Sequence, residues 1–311
     1  MKTAVLIPCY NEALTIEKVV KDFRRELPDA TIYVYDNNST DDTASIAEIA
    51  GAVVRRESRQ GKGFVVRQMF MDVEADYYIM VDGDDTYPAE SVHQLLTPLI
   101  NQTADMTIGD RLSNGTYAEE NKRQFHGFGN NLVKNSINLL FHSHIQDVMT
   151  GYRGFNRVFV KSLPVISNGF QIETEFTIHA LDKRFKVVEI PIDYRDRPEG
   201  SFSKLNTMSD GLKVIATIIR MVKDSRPLMF FGILSAIFFV LGIGFGTPVL
   251  VEFFKTQYIT KVPSAILATG MMLFGLMLLI AGLILATVVK QYNKTYELNL
   301  LRIYSEQNNQ R

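Results

Sequence analysis

With one cysteine in 311 residues, Cys9 has nothing to pair with inside the chain. A disulfide framework is therefore excluded, and a reducing compartment is expected. In the apolar run "TAVLIPCY" Cys9 reads as a small buried side chain. Charge of one sign is lacking too: 33 basic and 34 acidic residues leave a net charge of −1, so no global field points to nucleic acid. The glycine patterns of common nucleotide folds are missing. "PCYNEA" follows the first strand where a dinucleotide fold would want G-x-G-x-x-G, and "GKG" at Gly61 to Gly63 lacks P-loop spacing. "MKTAVLIPCYNEA" is too short in apolar residues for a signal peptide, so the N-terminal part is expected in the cytosol.

Charge is absent altogether from residues 228–251 and 262–289. Both stretches exceed the ~20 apolar residues that cross a ~30 Å hydrocarbon core. Soluble core helices seldom stay apolar on every side for so long. Two transmembrane helices are expected, and the short linker "EFFKTQYITK" makes them a hairpin. Upstream lie Arg195, Arg197, Lys204, Lys213, Arg220, Lys223 and Arg226, against four acids in 195–226. Downstream come Lys290, Lys294, Arg302 and Arg311, whereas the linker offers only Lys255 and Lys261. Positive-inside then puts both termini in the cytoplasm, on a multi-pass protein of the cell membrane.

Two further segments have an interfacial pattern. Met208, Leu212, Ile215, Ile219 and Val222 form a helical stripe just before the first span. This reads as an amphipathic helix lying in the headgroup plane. A looser stripe runs through 121–141, flanked by Lys122, Arg123 and Lys134. The expected organisation is a cytosolic catalytic domain over 1–205, a juxtamembrane amphipathic helix over 206–227, the hairpin over 228–289 and a cytosolic tail over 290–311.

What is present in the first ~110 residues is alternation. "TAVLIP", "TIYVYD", "AVVRR", "YYIMVD" and "ADMTIG" read as strands, with helical stretches beginning near Glu12, Thr40, Gly63 and Pro88. Such spacing implies βαβ units and a doubly wound, mostly parallel α/β sheet. Ligands then sit outside the carboxyl ends of the strands, where "PCYNE", "YDNNSTDD" and "DGDDTYP" fall. Asp82 and Asp84 have D-x-D spacing at a strand end, which can turn two carboxylates toward one hard divalent cation. Such a cation, Mg²⁺ or Mn²⁺, would hold a nucleotide diphosphate and neutralise charge on a departing phosphate.

"IPCYNEA", "YDNNSTDDT" and "VDGDDTYP", in this order, resemble the family 2 glycosyltransferases of the GT-A fold. "DVMTGYRGF" and "YRDRPEGSFSKL" narrow the resemblance to the polyprenyl-phosphate sugar synthases, which include dolichyl-phosphate mannose synthase and the bactoprenol glucosyltransferases. The resemblance implies that Pro8, Tyr10 and Glu12 line the base and ribose of a nucleotide-sugar donor, with Asp36 and Asn37 below. It implies that Asp82 faces nucleotide and metal, and that Asp84 is the principal metal ligand. Arg111, Arg197 and Lys204 would bind diphosphate or the acceptor's phosphate, and Arg123 would meet that phosphate at the membrane. Arginine suits phosphate through its fixed fork of donors. Two departures stand out: Asn37 replaces a second Asp common in relatives, and Thr86 stands where some carry a Gln metal ligand.

The implied reaction is an inverting transfer of a hexose, from UDP-glucose first and UDP-N-acetylglucosamine next, to undecaprenyl or another polyprenyl phosphate. The product would serve cell-envelope glycan modification. A phosphate acceptor is already nucleophilic at neutral pH, so a strong general base is dispensable. Asp147 is expected in the active site, with Glu173 and Glu175 as candidates to orient acceptor or sugar. His142 and His144 resemble a metal pair by type alone. A processive polysaccharide synthase would want more membrane helices and a Q-x-x-R-W signature, and the chain has no tryptophan. A non-catalytic nucleotide-binding membrane module is the rival from another class. Some relatives form tetramers, and by that analogy the tail after Val289 is a candidate subunit contact in a homo-oligomer.

Overall fold

A computed structural model describes residues 1–113, 126–169, 171–198, 219–220 and 222–309. It forms two compact units, Met1–Ile215 with Arg302–Arg311, and Ala216–Leu301.

The first unit is built on β1 (Thr3–Cys9), α1 (Ile16–Glu26), β2 (Thr31–Asp36), α2 (Thr43–Ile49), β3 (Val53–Arg56) and α3 (Lys62–Asp72). There follow β4 (Tyr77–Met80), α4 (Val92–Ile100), β5 (Met106–Asp110), α5 (His126–Phe141), β6 (Arg153–Asn156), α6 (Arg157–Ser162), α7 (Ile172–Asp182) and β7 (Val187–Pro191). All seven strands share one sheet in the order β3-β2-β1-β4-β6-β5-β7. Only β6 runs antiparallel, against β4 and β5. The strand order reverses between β1 and β4, the topological switch point where open α/β sheets bind ligands.

The residues explain the layering. Strand β4 reads "YYIM" and is buried on both faces, the continuous apolar run of a central parallel strand. On α1 the buried Ile16, Val19, Val20 and Phe23 form one stripe at i, i+3, i+4 and i+7. This helix begins at Ile16, four residues later than the sequence pattern places it. Asn11 sits at φ 54° and the Glu12 amide donates to Thr43 Oγ1 at 2.8 Å, so residues 11–15 form a turn. Pro8 is tolerated in β1 because pairing with β4 stops at Leu6 and only β2 continues alongside.

The second unit holds α8 (Pro227–Thr256) and most of α9 (Val262–Asn309). Both contain stretches long and apolar enough to cross a membrane, with mean hydropathies of 2.5 and 2.7. They pack antiparallel through small residues. Ser235 Oγ donates to the Gly275 carbonyl at 2.7 Å, and a Cβ on Gly242 would lie 2.7 Å from Met272 Cγ. Helix α9 continues past Val289 to Asn309 without a break. Of the juxtamembrane stripe, Ile219 and Val222 are in helical conformation, and 206–218 lie outside the described residues.

Candidate active site

The acidic turn begins where β4 ends. Val81 still donates to the Leu6 carbonyl at 3.1 Å, and the chain then leaves the sheet. A Cβ on Gly83 would stand 2.7 Å from Cys9 Sγ, so glycine lets the turn press directly onto β1. Thr15 Oγ1 fastens it by donating to the Gly83 carbonyl at 2.6 Å. The three carboxylates part company here. Asp85, at φ 59°, turns toward α1 and accepts from Lys18 Nζ at 2.7 Å. Asp84 is buried, and its Oδ1 accepts from Thr86 Oγ1 at 2.6 Å and from the Thr86 amide at 3.3 Å. Its Oδ2 lies 2.5 Å from an Arg197 guanidinium nitrogen. Burial and the neighbouring Asp82 hold Asp84 above the ordinary carboxylate range, against the pull of Arg197.

Asp82 has a different partner. Lys62 Nζ donates to Asp82 Oδ1 at 2.5 Å and to Glu173 Oε1 at 2.6 Å. Burial opposes its charge, but the two carboxylates win and push its pKa well above the ordinary lysine value. Lys62 reaches this place because glycines flank it. Gly61 has φ 138°, and Cβ atoms on Gly61 and Gly63 would collide with the backbone carbonyls of Asn168 and Ser167. Sequence reading passed over Lys62 because "GKG" was weighed only as a P-loop. The usable signal was a lysine between two glycines at a helix start on the ligand edge of the sheet.

Antiparallel β6 brings a second segment to the same edge. Arg153, its first residue, pairs with Met80 and with Ile108, so residues 147–152 approach the ends of β4 and β5. Gly151 lies so close that an added Cβ would overlap the Asp82 carboxylate. Asp147 is fully buried and accepts from Arg111 Nε at 2.7 Å and Arg111 Nη2 at 3.0 Å. Burial opposes its charge, yet the Arg111 fork holds its carboxyl below the ordinary range. Tyr87 Oη ties this pair to the turn, accepting from Arg111 Nη1 at 3.4 Å and from the Gly151 amide at 3.0 Å. Arg153 is also fully buried and donates to the Val148 and Thr150 carbonyls at 2.6 and 3.1 Å. Sequence reading gave it no role, and its part is to hold the 147–152 segment in shape.

After β7, residues 192–198 run across the turn, with the Arg195 amide donating to the Thr86 carbonyl at 2.9 Å. This strap carries Arg197 to Asp84 and Tyr194 to Arg111, whose guanidinium carbon stands 5.5 Å from the ring centre. Glu175, by contrast, caps the 166–167 backbone, accepting from both amides at 2.8 Å. His142 and His144 are exposed and belong to no metal group.

On the β1–β2 side the chain brings Pro8, Tyr10, Glu12, Asp36 and Asn37 to the same edge, with Cys9 paired to Asp36. Tyr10 is exposed and Glu12 is buried. Asp36 accepts from the Ser39 amide at 3.2 Å and faces Arg56 Nε at 3.6 Å. Asn37 has a structural task. Its Nδ2 donates to the Glu57 and Arg59 carbonyls at 2.9 and 2.8 Å, while its Oδ1 accepts from the Gly61 amide at 2.7 Å. Only an amide both donates and accepts in this way, which accounts for Asn rather than Asp. Arg123 and Lys204 lie outside the described residues.

Among the described residues no three carboxylate, imidazole or thiol groups converge on one point. A closed metal cage is therefore not formed by them. Asp82 and Asp84 nonetheless suit an open site, in which Mg²⁺ takes one or two carboxylates and completes its shell with phosphate and water.

The sequence profile of glycosyl transferase family 2 matches residues 4–163. Glycosyltransferase AglJ of Haloferax volcanii is 33% identical over 284 residues, covering 90% of this chain and 91% of that protein. Dolichyl-phosphate hexose transferase of the same organism is 27% identical over 223 residues, covering 72% of this chain and 95% of the other. Among solved structures, glucosyl-3-phosphoglycerate synthase from Mycobacterium tuberculosis, in complex with Mn²⁺, uridine-diphosphate-glucose and phosphoglyceric acid, superposes with a TM-score of 0.56. That likeness has 20% sequence identity, covers 72% of this chain and 79% of the other, and is one of fold.

Proposed function

Because the chain belongs to glycosyl transferase family 2, we propose that it transfers a hexose from a nucleotide sugar to a polyprenyl phosphate, with inversion at the anomeric carbon. UDP-glucose is the lead donor and UDP-N-acetylglucosamine the next. The observation that carries this reading is that the carboxylates gathered at the ligand edge are already engaged. Asp147 is held by Arg111, Glu173 by Lys62, and Glu175 by two backbone amides. Transfer to a sugar hydroxyl needs a base to take its proton. A phosphate monoester, with a second pKa of about 6, needs none. A relative named for dolichyl-phosphate hexose transfer and two helices long enough to span a bilayer support a lipid as the carrier of that phosphate.

In the proposed reaction a phosphate oxygen of the lipid attacks the anomeric carbon from the face opposite the leaving group. The bond between that carbon and the diphosphate oxygen breaks, and the nucleoside diphosphate departs with the electron pair. Asp84, assisted by Asp82, would hold a divalent ion, Mg²⁺ or Mn²⁺, which supplies neutralisation of charge on the departing diphosphate. Pro8, Tyr10, Glu12 and Asp36 would line the base and ribose. Arg197, with Lys204 and Arg123, supplies cationic donors for diphosphate and acceptor phosphate, and Arg111 with Asp147 keeps the sugar side of the site in shape. The basic residues flanking the hairpin support a cytoplasmic location for both termini.

The test is product formation by the full chain in detergent, with undecaprenyl phosphate, Mg²⁺ or Mn²⁺ and each nucleotide sugar in turn. An organic-soluble glycolipid from one donor, lost in Asp84→Ala, is expected. No lipid product from any donor, with nucleotide still bound, would favour a binding module instead.

A further inference from the structure

Each of the two turn carboxylates already carries a cation of the chain itself. Lys62 is 2.5 Å from Asp82 and Arg197 is 2.5 Å from Asp84. With Glu173 the cluster holds, among the described residues, three acids and two bases, so a free divalent ion meets from them a net charge near −1 rather than −3.

The two cations are held very differently. Lys62 is pinned between two carboxylates, its side chain is 9% exposed, and the flanking glycines are wedged against the 167–168 backbone. Arg197 stands on a strap without regular secondary structure, and its side chain is 28% exposed. Lys62 is thus the enclosed cation of the site and Arg197 the more exposed one. A guanidinium also pairs with phosphate in the same forked geometry that it uses for a carboxylate.

We propose that Arg197 is a resident counter-cation of Asp84 that a divalent ion displaces efficiently only when it arrives with the donor diphosphate, whose oxygens take over the guanidinium. Lys62 stays on Asp82 and Glu173 throughout, as a positioning residue that keeps Asp82 from recruiting a second ion. Metal and nucleotide binding are therefore coupled through Arg197, and linkage requires the coupling to be reciprocal. The inference rests on Asp84 being the metal carboxylate and is independent of what the acceptor is.

The experiment uses the full chain in detergent and titrates Mn²⁺ by electron paramagnetic resonance, alone and with saturating UDP or GDP. Arg197→Gln is expected to bind Mn²⁺ alone about tenfold more tightly than wild type, within the usual range of coupling factors. With nucleotide present its advantage is expected to vanish or reverse, since the diphosphate has lost a donor. Arg197→Lys keeps a cation in place and is expected to restore weak binding of Mn²⁺ alone. Lys62→Met is expected to change Mn²⁺ affinity by the same factor with and without nucleotide. Unchanged or weaker binding of Mn²⁺ alone by Arg197→Gln, in a protein that melts like wild type, overturns the proposal. If Asp84→Ala leaves Mn²⁺ affinity unchanged, the metal assignment itself falls, and the proposal with it.

Discussion

Asn37 shows how much one side chain settles. Its amide holds the Glu57 and Arg59 carbonyls and the Gly61 amide, and so fixes the loop that delivers Lys62. Asn37→Asp removes two donations and sets a carboxylate against two carbonyl oxygens. A loss of about 1–3 kcal/mol in stability is expected, the cost of leaving buried acceptors unpaired, and it would be read in thermal unfolding. The apparent KM for donor should rise at the same time, because the loop leads into Lys62. Asp147 makes a second prediction at this scale. Its folded pKa lies below the unfolded value, so the charged form is what the fold stabilises. That contribution is complete above the unfolded pKa of about 3.9 and is lost as pH falls through the lower folded value. Asp147→Asn should therefore flatten the acid limb of the stability curve below about pH 4 while lowering stability at neutral pH by about 3–5 kcal/mol, since Arg111 is left buried without its partner. Chemical denaturation across pH 2–8 distinguishes this from a uniform loss.

At the scale of elements, the site is a meeting of several chain segments at one sheet edge, and close backbone approach is what lets them meet. Helix α3 enters against the 167–168 backbone, with Gly63 facing the Ser167 carbonyl. Gly63→Ala must push the two apart and carry Lys62 with it. The expected result is a fall in kcat of at least tenfold with a modest change in melting temperature, because α3 keeps its buried Val65, Val66 and Met69. A melting-temperature loss as large as that of a core truncation would show the glycine to be structural only. This contact was illegible in the sequence, since 61–63 and 167–168 are joined by no local pattern. Whereas β6 and β7 were not read, strands β1 to β5 were legible, because largely apolar runs of four to seven residues ended in polar loops. So were Asp82 and Asp84, which stand at the end of a strand with no polar residue inside. Asp85 was left outside the D-x-D pair by spacing alone, and its positive φ turns it away onto Lys18. The existence of β6 and its antiparallel sense were hidden, and with them the way in which Asp147, Gly151 and Arg153 reach the edge.

At the scale of the whole molecule, the candidate site and the paired apolar helices fall in different parts of the chain. Every described residue of the proposed donor site, from Pro8 to Arg197, belongs to the unit Met1–Ile215 with Arg302–Arg311, while Ala216–Leu301 contains the paired apolar helices. If the acceptor is a lipid phosphate, the two functions should come apart under mutation. The hairpin depends on backbone proximity at Gly275, where a Cβ would already stand 3.2 Å from the Ser235 carbonyl and where Ser235 Oγ makes its bond. Gly275→Ile adds a branched side chain at that contact, forces α8 and α9 apart and breaks the hydrogen bond. Overpacking of this kind costs about 1–3 kcal/mol. In detergent the variant should melt lower or aggregate more readily. Its Mn²⁺-dependent nucleotide affinity should remain within about twofold of wild type, a spread of under about 0.5 kcal/mol, since the change falls in the other compact unit. Formation of the lipid-linked product should drop far more than that. A matched fall in nucleotide affinity and lipid product would mean instead that the hairpin supports the fold of the catalytic unit, and that anchoring and donor binding are not separable functions of this chain.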